Sequence, residues 1–285
     1  MNAPEHLNPT PLATSSARHT TPAPRDPQTN AAWAALHQAA TAPYRQHGRF
    51  AWHFARGKLG RDPVFRGLLE RGELGPAAPQ GAVHQLRVVD IGCGQGLMAS
   101  LLQSCSDLAE NRIAGRWPAA WPAAPRATAY TGIELMPRDV ERGRASVGGL
   151  ALKPQFINGD MCSTALPPCE LVVILDVLHY VDHAAQAALL KRVRDALAAQ
   201  HGRLLLRVGD MAQQRGFAVS QWVDRIVTMV RGHRVPPTWG RSVPAWVQLL
   251  QGLGFSVQTV PMSEGTPFAN VLLVADLLPA GGGRA

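Results

Sequence analysis

The apolar runs of the chain are short and regularly spaced, and they alternate with longer stretches of helical periodicity. Leu86–Asp90, Tyr130–Glu134, Pro154–Ile157, Leu171–Asp176, Arg203–Val208, Phe255–Val260 and Asn270–Ala275 have the length and composition of strands. Residues 97–110, 139–147, 183–199, 211–232 and 243–253 have the spacing of helices; Ala187, Leu190, Val193 and Leu197 share one side of 183–199. Strand and helix in alternation predict an α/β fold around a mostly parallel sheet. Leu171–Asp176 is the most hydrophobic run and belongs at the sheet centre, buried on both faces. The last two strands are joined by a short link, so the final strand is expected to run antiparallel.

Outside this pattern lie the two ends. Residues 1–30 hold many Pro, Thr, Ser and Asn and are expected to be disordered. Residues 31–80 form an expected N-terminal helical cap. A helix runs from Ala31 to about Thr41, and a second starts at Pro63 behind the capping Asp62. The α/β domain spans 81–278, with 211–253 as a helical insertion or lid. The glycine-rich residues 279–285 form a second disordered tail.

Composition changes the picture in two places. The net charge is +8, of which residues 45–71 contribute +5: six Arg and Lys58 against Asp62 and Glu70, with Phe50, Trp52, Phe54 and Phe65 interleaved. Such a stretch is either a solvated basic face or a surface for an acidic partner. Cys93, Cys105, Cys162 and Cys169 form no C-x-x-C pair, so neither a zinc site nor a disulfide framework is expected, and reduced thiols point to the cytoplasm. The first residues lack the pattern of a signal peptide, and no run is long enough for a membrane span.

The chemistry concentrates at the strand ends. Val88-Val89-Asp90-Ile91-Gly92-Cys93-Gly94-Gln95-Gly96 is a strand followed by a glycine turn, and Leu97 begins a helix. This opens a nucleotide-binding βαβ unit and gives the fold a Rossmann-like character. Its spacing is D-x-G-x-G-x-G, not the G-x-G-x-x-G of dinucleotide enzymes, because position 97 is Leu. Glu134, Asp160 and Asp176 then end the second, third and fourth strands. In an open parallel sheet that edge is where ligands bind. Glu134 can accept two ribose hydroxyls, Asp160 an adenine amino group, with Met161 against the ring. His179 follows the central strand by three residues and is a candidate general base. His53 is a second catalytic candidate, and His183 and Glu264 are lesser ones.

From about residue 86 to 277 the chain resembles the class I S-adenosylmethionine (SAM) methyltransferases. Asp90–Gly94 looks like their motif I, Gly132-Ile133-Glu134 like motif II and Gly159-Asp160-Met161 like motif III; Asp176–Tyr180 looks like the segment after the fourth strand in small-molecule methyltransferases. The resemblance implies SAM as cofactor, held by Asp90, Gly92, Gly94, Glu134, Leu135, Asp160, Met161 and Asp176. It implies transfer of a methyl group to a small-molecule acceptor. The stretches GRFAWHFARGKLGRDPVF and SEGTPFANVLLVAD are similar to methyltransferases of bacterial aryl-polyene and related pigment clusters. That second resemblance implies an aromatic or polyene acceptor, placed near Phe50, Trp52, Trp222 and Trp239, and an acidic acyl carrier protein as partner. An RNA methyltransferase and a non-catalytic SAM-binding protein are the alternatives. No base-amino methylation motif of the Asn/Asp-Pro-Pro-Tyr/Phe type is present, which disfavours nucleic acid.

Overall fold

The computed structural model describes residues 26–75, 77, 85–198, 201–209, 239–262 and 270–279. The expected helix 211–232, with Trp222, lies outside the described residues, as do Glu264, residues 1–25 and the tail from 280.

Seven strands form one sheet in the order β3-β2-β1-β4-β5-β7-β6. They are β1 (Leu86–Ile91), β2 (Ala127–Glu134), β3 (Gln155–Asn158), β4 (Leu171–Leu175), β5 (Arg203–Gly209), β6 (Phe255–Pro261) and β7 (Asn270–Leu277). All pairings among the first five are parallel, and β7 alone runs against both its neighbours. Four of the five residues of β4 are buried, as an apolar run between two parallel neighbours requires. The register then lines up the strand ends. Ile91 sits beside Ile133 and Ile174, Glu134 beside Asn158, and Leu175 beside Arg207. Glu134, Asp160, Asp176 and Arg207 are thereby delivered to a single edge.

Successive residues of each strand feed opposite faces. Val88, Leu171, Val173 and Leu205 pack toward α4 (Leu97–Ala109) and α5 (Pro137–Val147). Val89, Val172, Ile174 and Leu206 pack toward α6 (His183–Ala196) and α7 (Val243–Gly252). Part of the expected lid is thus a core helix: α7 buries Trp246 and Leu250 against the sheet.

The N-terminal segment also differs from expectation. The first helix, α1 (Pro27–Thr41), starts four residues early, because the Asp26 carboxylate accepts the Thr29 amide at 2.8 Å and Pro27 suits the first turn. Residues 27–30 are therefore helical. The segment continues through a 3₁₀ turn over Ala42–His47, then α2 (Arg49–Arg61) and α3 (Pro63–Arg71). These elements share one hydrophobic core with the sheet. The Ser100 hydroxyl of α4 donates to the Ala40 carbonyl at 2.7 Å, and the buried Tyr44 hydroxyl donates to the Gln95 carbonyl in the glycine turn at 2.9 Å. The cap is a third helical layer, fastened to the loop that the sequence marks as the site. Among the described residues no helix is long and apolar enough to cross a membrane.

Candidate active site

The turn after β1 is set by glycines in left-handed backbone. Gly92 has φ +75°, and a Cβ there would lie 2.5 Å from Val177 Cγ1. Gly94 has φ +54°, yet a Cβ there would meet nothing within 4 Å. One glycine is thus demanded by packing, while the other faces open space. The Gly94 amide donates to Glu134 Oε2 at 3.0 Å, and Glu134 Oε1 accepts the Met136 amide at 2.9 Å. Glu134 is fixed in place by two backbone donors. Each of its oxygens keeps a free lone-pair direction.

Beside it, Leu135 is an exposed large apolar residue at 63%. Sequence reasoning missed what holds it: the Asn158 side-chain amide donates to the carbonyls of Glu134 and Leu135 at 3.0 and 2.9 Å. Asp160 accepts the Cys162 amide at 2.9 Å, and Met161 packs partly buried against the sheet core. Their loop is pinned by Arg192 of α6, which donates to the carbonyls of Met161 and Cys162 at 3.0 and 2.7 Å and also to that of Thr164. Asp176 has φ +61°, a left-handed conformation that Asp tolerates better than most residues.

His179 lies in a 3₁₀ turn over Leu178–Tyr180, which begins two residues after Asp176, with its ring 4.2 Å from that of Tyr180. Its carbonyl accepts the Trp239 amide at 2.8 Å. Gln186, wholly buried on α6, makes this junction: its amide nitrogen reaches the carbonyls of Leu178, Val181 and Trp239, while its oxygen accepts from Arg241 at 2.8 Å. Trp239, 41% exposed, is thereby brought beside His179.

Two expected residues are not brought to this edge. His53 is exposed on α2 and lies about 140° around the helix from Lys58, the residue of α2 that reaches Asp176. Trp52 turns away similarly, with the guanidinium groups of Arg45 and Arg56 over its ring at 5.2 and 4.9 Å. Phe50, by contrast, is exposed and stacks near Phe54, with Arg142 of α5 over its ring at 5.1 Å.

Asp90 sits under the turn, only 6% exposed, and accepts the Tyr130 hydroxyl at 2.6 Å. Its side-chain partner is thus on the neighbouring strand β2. Burial raises its pKa to about 7; the Tyr130 hydrogen bond opposes that rise, and the Glu134 charge adds to it. An acid with a raised folded pKa contributes stability that is complete below its unfolded value and is lost as pH rises through about 7. The unliganded protein is therefore expected to lose up to roughly 4 kcal/mol relative to Asp90→Asn between pH 4 and pH 8. Urea unfolding of both proteins at the two pH values checks this. A wild type that gains on the variant as pH rises contradicts it.

Residues 135–256 match the family model of an O-methyltransferase domain. No curated protein sequence matches the chain. Among solved structures, magnesium protoporphyrin IX methyltransferase from Synechocystis PCC 6803, with bound SAH, is 18% identical with a TM-score of 0.51, over 86% of this chain and 98% of that one. An O-methyltransferase family protein from Burkholderia thailandensis is 15% identical with a TM-score of 0.55, over 88% and 70%. The mitomycin 7-O-methyltransferase MmcR is 20% identical with a TM-score of 0.50, over 89% and 69%. The fold is the Rossmann-like fold of SAM-dependent methyltransferases.

Proposed function

We propose that the chain is a SAM-dependent O-methyltransferase acting on a small-molecule acceptor. The observation that carries this reading is the Gly94–Glu134 pair. A glycine whose missing side chain leaves open space has its amide locked to a carboxylate at the end of the next strand. That arrangement suits a ligand pressed against main chain with its hydroxyls on the acid. The match of residues 135–256 to an O-methyltransferase domain supports oxygen as the accepting atom.

The residues fit the cofactor. Glu134 would take the ribose hydroxyls, Asp160 the adenine amino group, and Leu135 and Met161 its ring faces. Gly92 and Gly94 bring the turn's backbone close, Asp90 supports that turn from beneath, and Asp176 stands at the methyl-donating end. SAM supplies an electrophilic methyl group on a sulfonium. The protein must align an acceptor oxygen in line with it and exclude water. His179 takes the acceptor's proton, with Trp239 as the neighbouring apolar wall.

The finer reading is an aromatic or polyene-linked acceptor, which Phe50, Phe54 and Trp239 suit, delivered by an acidic acyl carrier protein. The arginines of residues 45–71 give such a carrier a basic surface to meet. Steering of this kind raises association rate and fades with salt. Transfer to carrier-bound acceptor is expected to slow with added salt, while transfer to free acceptor does not. Equal salt dependence removes the carrier from the reading.

Calorimetric titration with SAM tests the function as a whole. The wild type is expected to bind, and Glu134→Ala to bind about 2–3 kcal/mol more weakly through loss of two charge-assisted hydrogen bonds. A folded Glu134→Ala variant with wild-type affinity defeats the assignment.

A further inference from the structure

An arginine inside an apolar strand is expensive unless its donors are used. Arg207 stands between Leu206 and Val208 on β5 and is 1% exposed. Its Nε donates to Asp176 Oδ1 at 2.8 Å, and one terminal nitrogen donates to Asp176 Oδ2. The same guanidinium grips Asp62 with two bonds, one of them 2.7 Å long. Asp62 lies at the junction of α2 and α3 and also accepts the Val64 amide as the cap of α3. Lys58 reaches the Asp62 carboxylate at 2.7 Å and that of Asp176 at 3.7 Å. Two cations and two anions make a neutral cluster. Burial alone would raise the pKa of Asp62, but Arg207, aided by Lys58, holds it well below the usual carboxylate range.

A strut between helices and sheet would need only the Arg207–Asp62 half of this cluster. The other half acts on the acid at the end of the central strand. Arg207 fixes both oxygens of Asp176, yet that side chain stays 31% exposed. A carboxylate offers about four lone-pair directions, so Asp176 can still receive a further donor. Its left-handed backbone also means that the strand alone does not dictate where the carboxylate lies.

We propose that Arg207, Asp62 and Lys58 are positioning residues for the Asp176 carboxylate at the methyl-donor site, making the α2–α3 junction part of that site. The proposal rests on the SAM reading above. It adds that the N-terminal layer contributes to donor affinity through Asp176 and not through contact of its own.

The experiment is calorimetric titration of the full chain with S-adenosylhomocysteine, together with thermal unfolding. Asp62→Asn keeps a capping side chain for α3 but removes one carboxylate from Arg207. It is expected to bind about tenfold more weakly, equivalent to one charge-assisted hydrogen bond. Lys58→Gln, at a more exposed position, is expected to bind about threefold more weakly and carries the test if Asp62→Asn does not fold. The decisive measurement is each change repeated in an Asp176→Asn background, where the positioning role predicts little further loss. A full, additive loss in that background, or unchanged affinity in the folded single variants, overturns the proposal. Wild-type protein that fails to bind S-adenosylhomocysteine overturns the SAM reading itself, and this proposal with it.

Discussion

Alanine at position 94 is expected to abolish most donor binding while leaving the fold nearly intact; alanine at position 92 is expected to destabilise the fold more. Both glycines have positive φ, so each substitution costs about 1–2 kcal/mol in backbone strain. Their surroundings separate them. At Gly92 the added carbon meets Val177 at 2.5, 2.9 and 3.1 Å, a crowding that adds about 1–3 kcal/mol. At Gly94 it meets no atom of the described residues beyond its chain neighbours within 4 Å, so on the proposed reading the methyl group enters the space of the ligand. Gly94→Ala should lower SAM affinity at least tenfold with a small fall in melting temperature. Gly92→Ala should unfold several degrees earlier than Gly94→Ala. Titration and thermal unfolding of the two variants check this together. Wild-type SAM affinity in Gly94→Ala would mean that the ligand does not lie on this turn.

The strands and their ends were legible because they rest on local patterns: apolar runs of strand length, glycines after the first of them, acids at the ends of the next three. The final antiparallel strand was legible from the short link between 260 and 270. The pieces that were not legible depend on contacts distant in sequence. Asp62 reads as a helix cap, and it is one; nothing local says that its carboxylate also meets Arg207, 145 positions away. The available signal was the arginine itself, inside the apolar run Leu204-Leu205-Leu206-Arg207-Val208, where a charge needs a partner. Gln186 carried a comparable signal, as a polar residue among the apolar positions of α6. Its three carbonyl partners come from two separate segments, so the sequence could not name them.

The same limit explains the two aromatic and histidine expectations that changed. His53 and Trp52 lie near Phe50 in sequence, but a helix turns about 100° per residue. The inward face of α2 is chosen by Ala51, Ala55 and Leu59, all buried. Lys58 and Phe54 flank that face on the side of Asp176, while Trp52 and Arg56 flank it on the other. Which charges of this stretch reach the strand edge, as Lys58 does, is decided by these buried apolar residues and not by the charges themselves.

Removing the imidazole of His179 is expected to lower kcat by about 10²–10⁴ while leaving SAM affinity within about twofold. The side chain lies on a turn that begins two residues after Asp176 and is held by Gln186 through the carbonyls of Leu178 and Val181. Such a turn fixes the ring's origin at the end of the central strand, close to Asp176. Histidine is the residue whose charge changes most readily near neutral pH, which suits the removal of a proton from a weakly acidic hydroxyl. If alignment and desolvation alone carry the transfer, His179→Ala loses less than about tenfold, since the cofactor residues remain in place. A general base makes a second demand. The pH dependence of the wild-type rate should differ from that of His179→Ala, which lacks the base. Gln186→Leu offers the complementary variant, because it frees the turn without touching the ring. It should reduce kcat at saturating SAM while retaining the wild-type pH dependence, since the base is present but poorly placed. Single-turnover methyl transfer measured across pH for the wild type and both variants distinguishes these cases. An unaltered pH profile in His179→Ala would assign the proton to another acceptor and leave His179 as part of the wall beside Trp239.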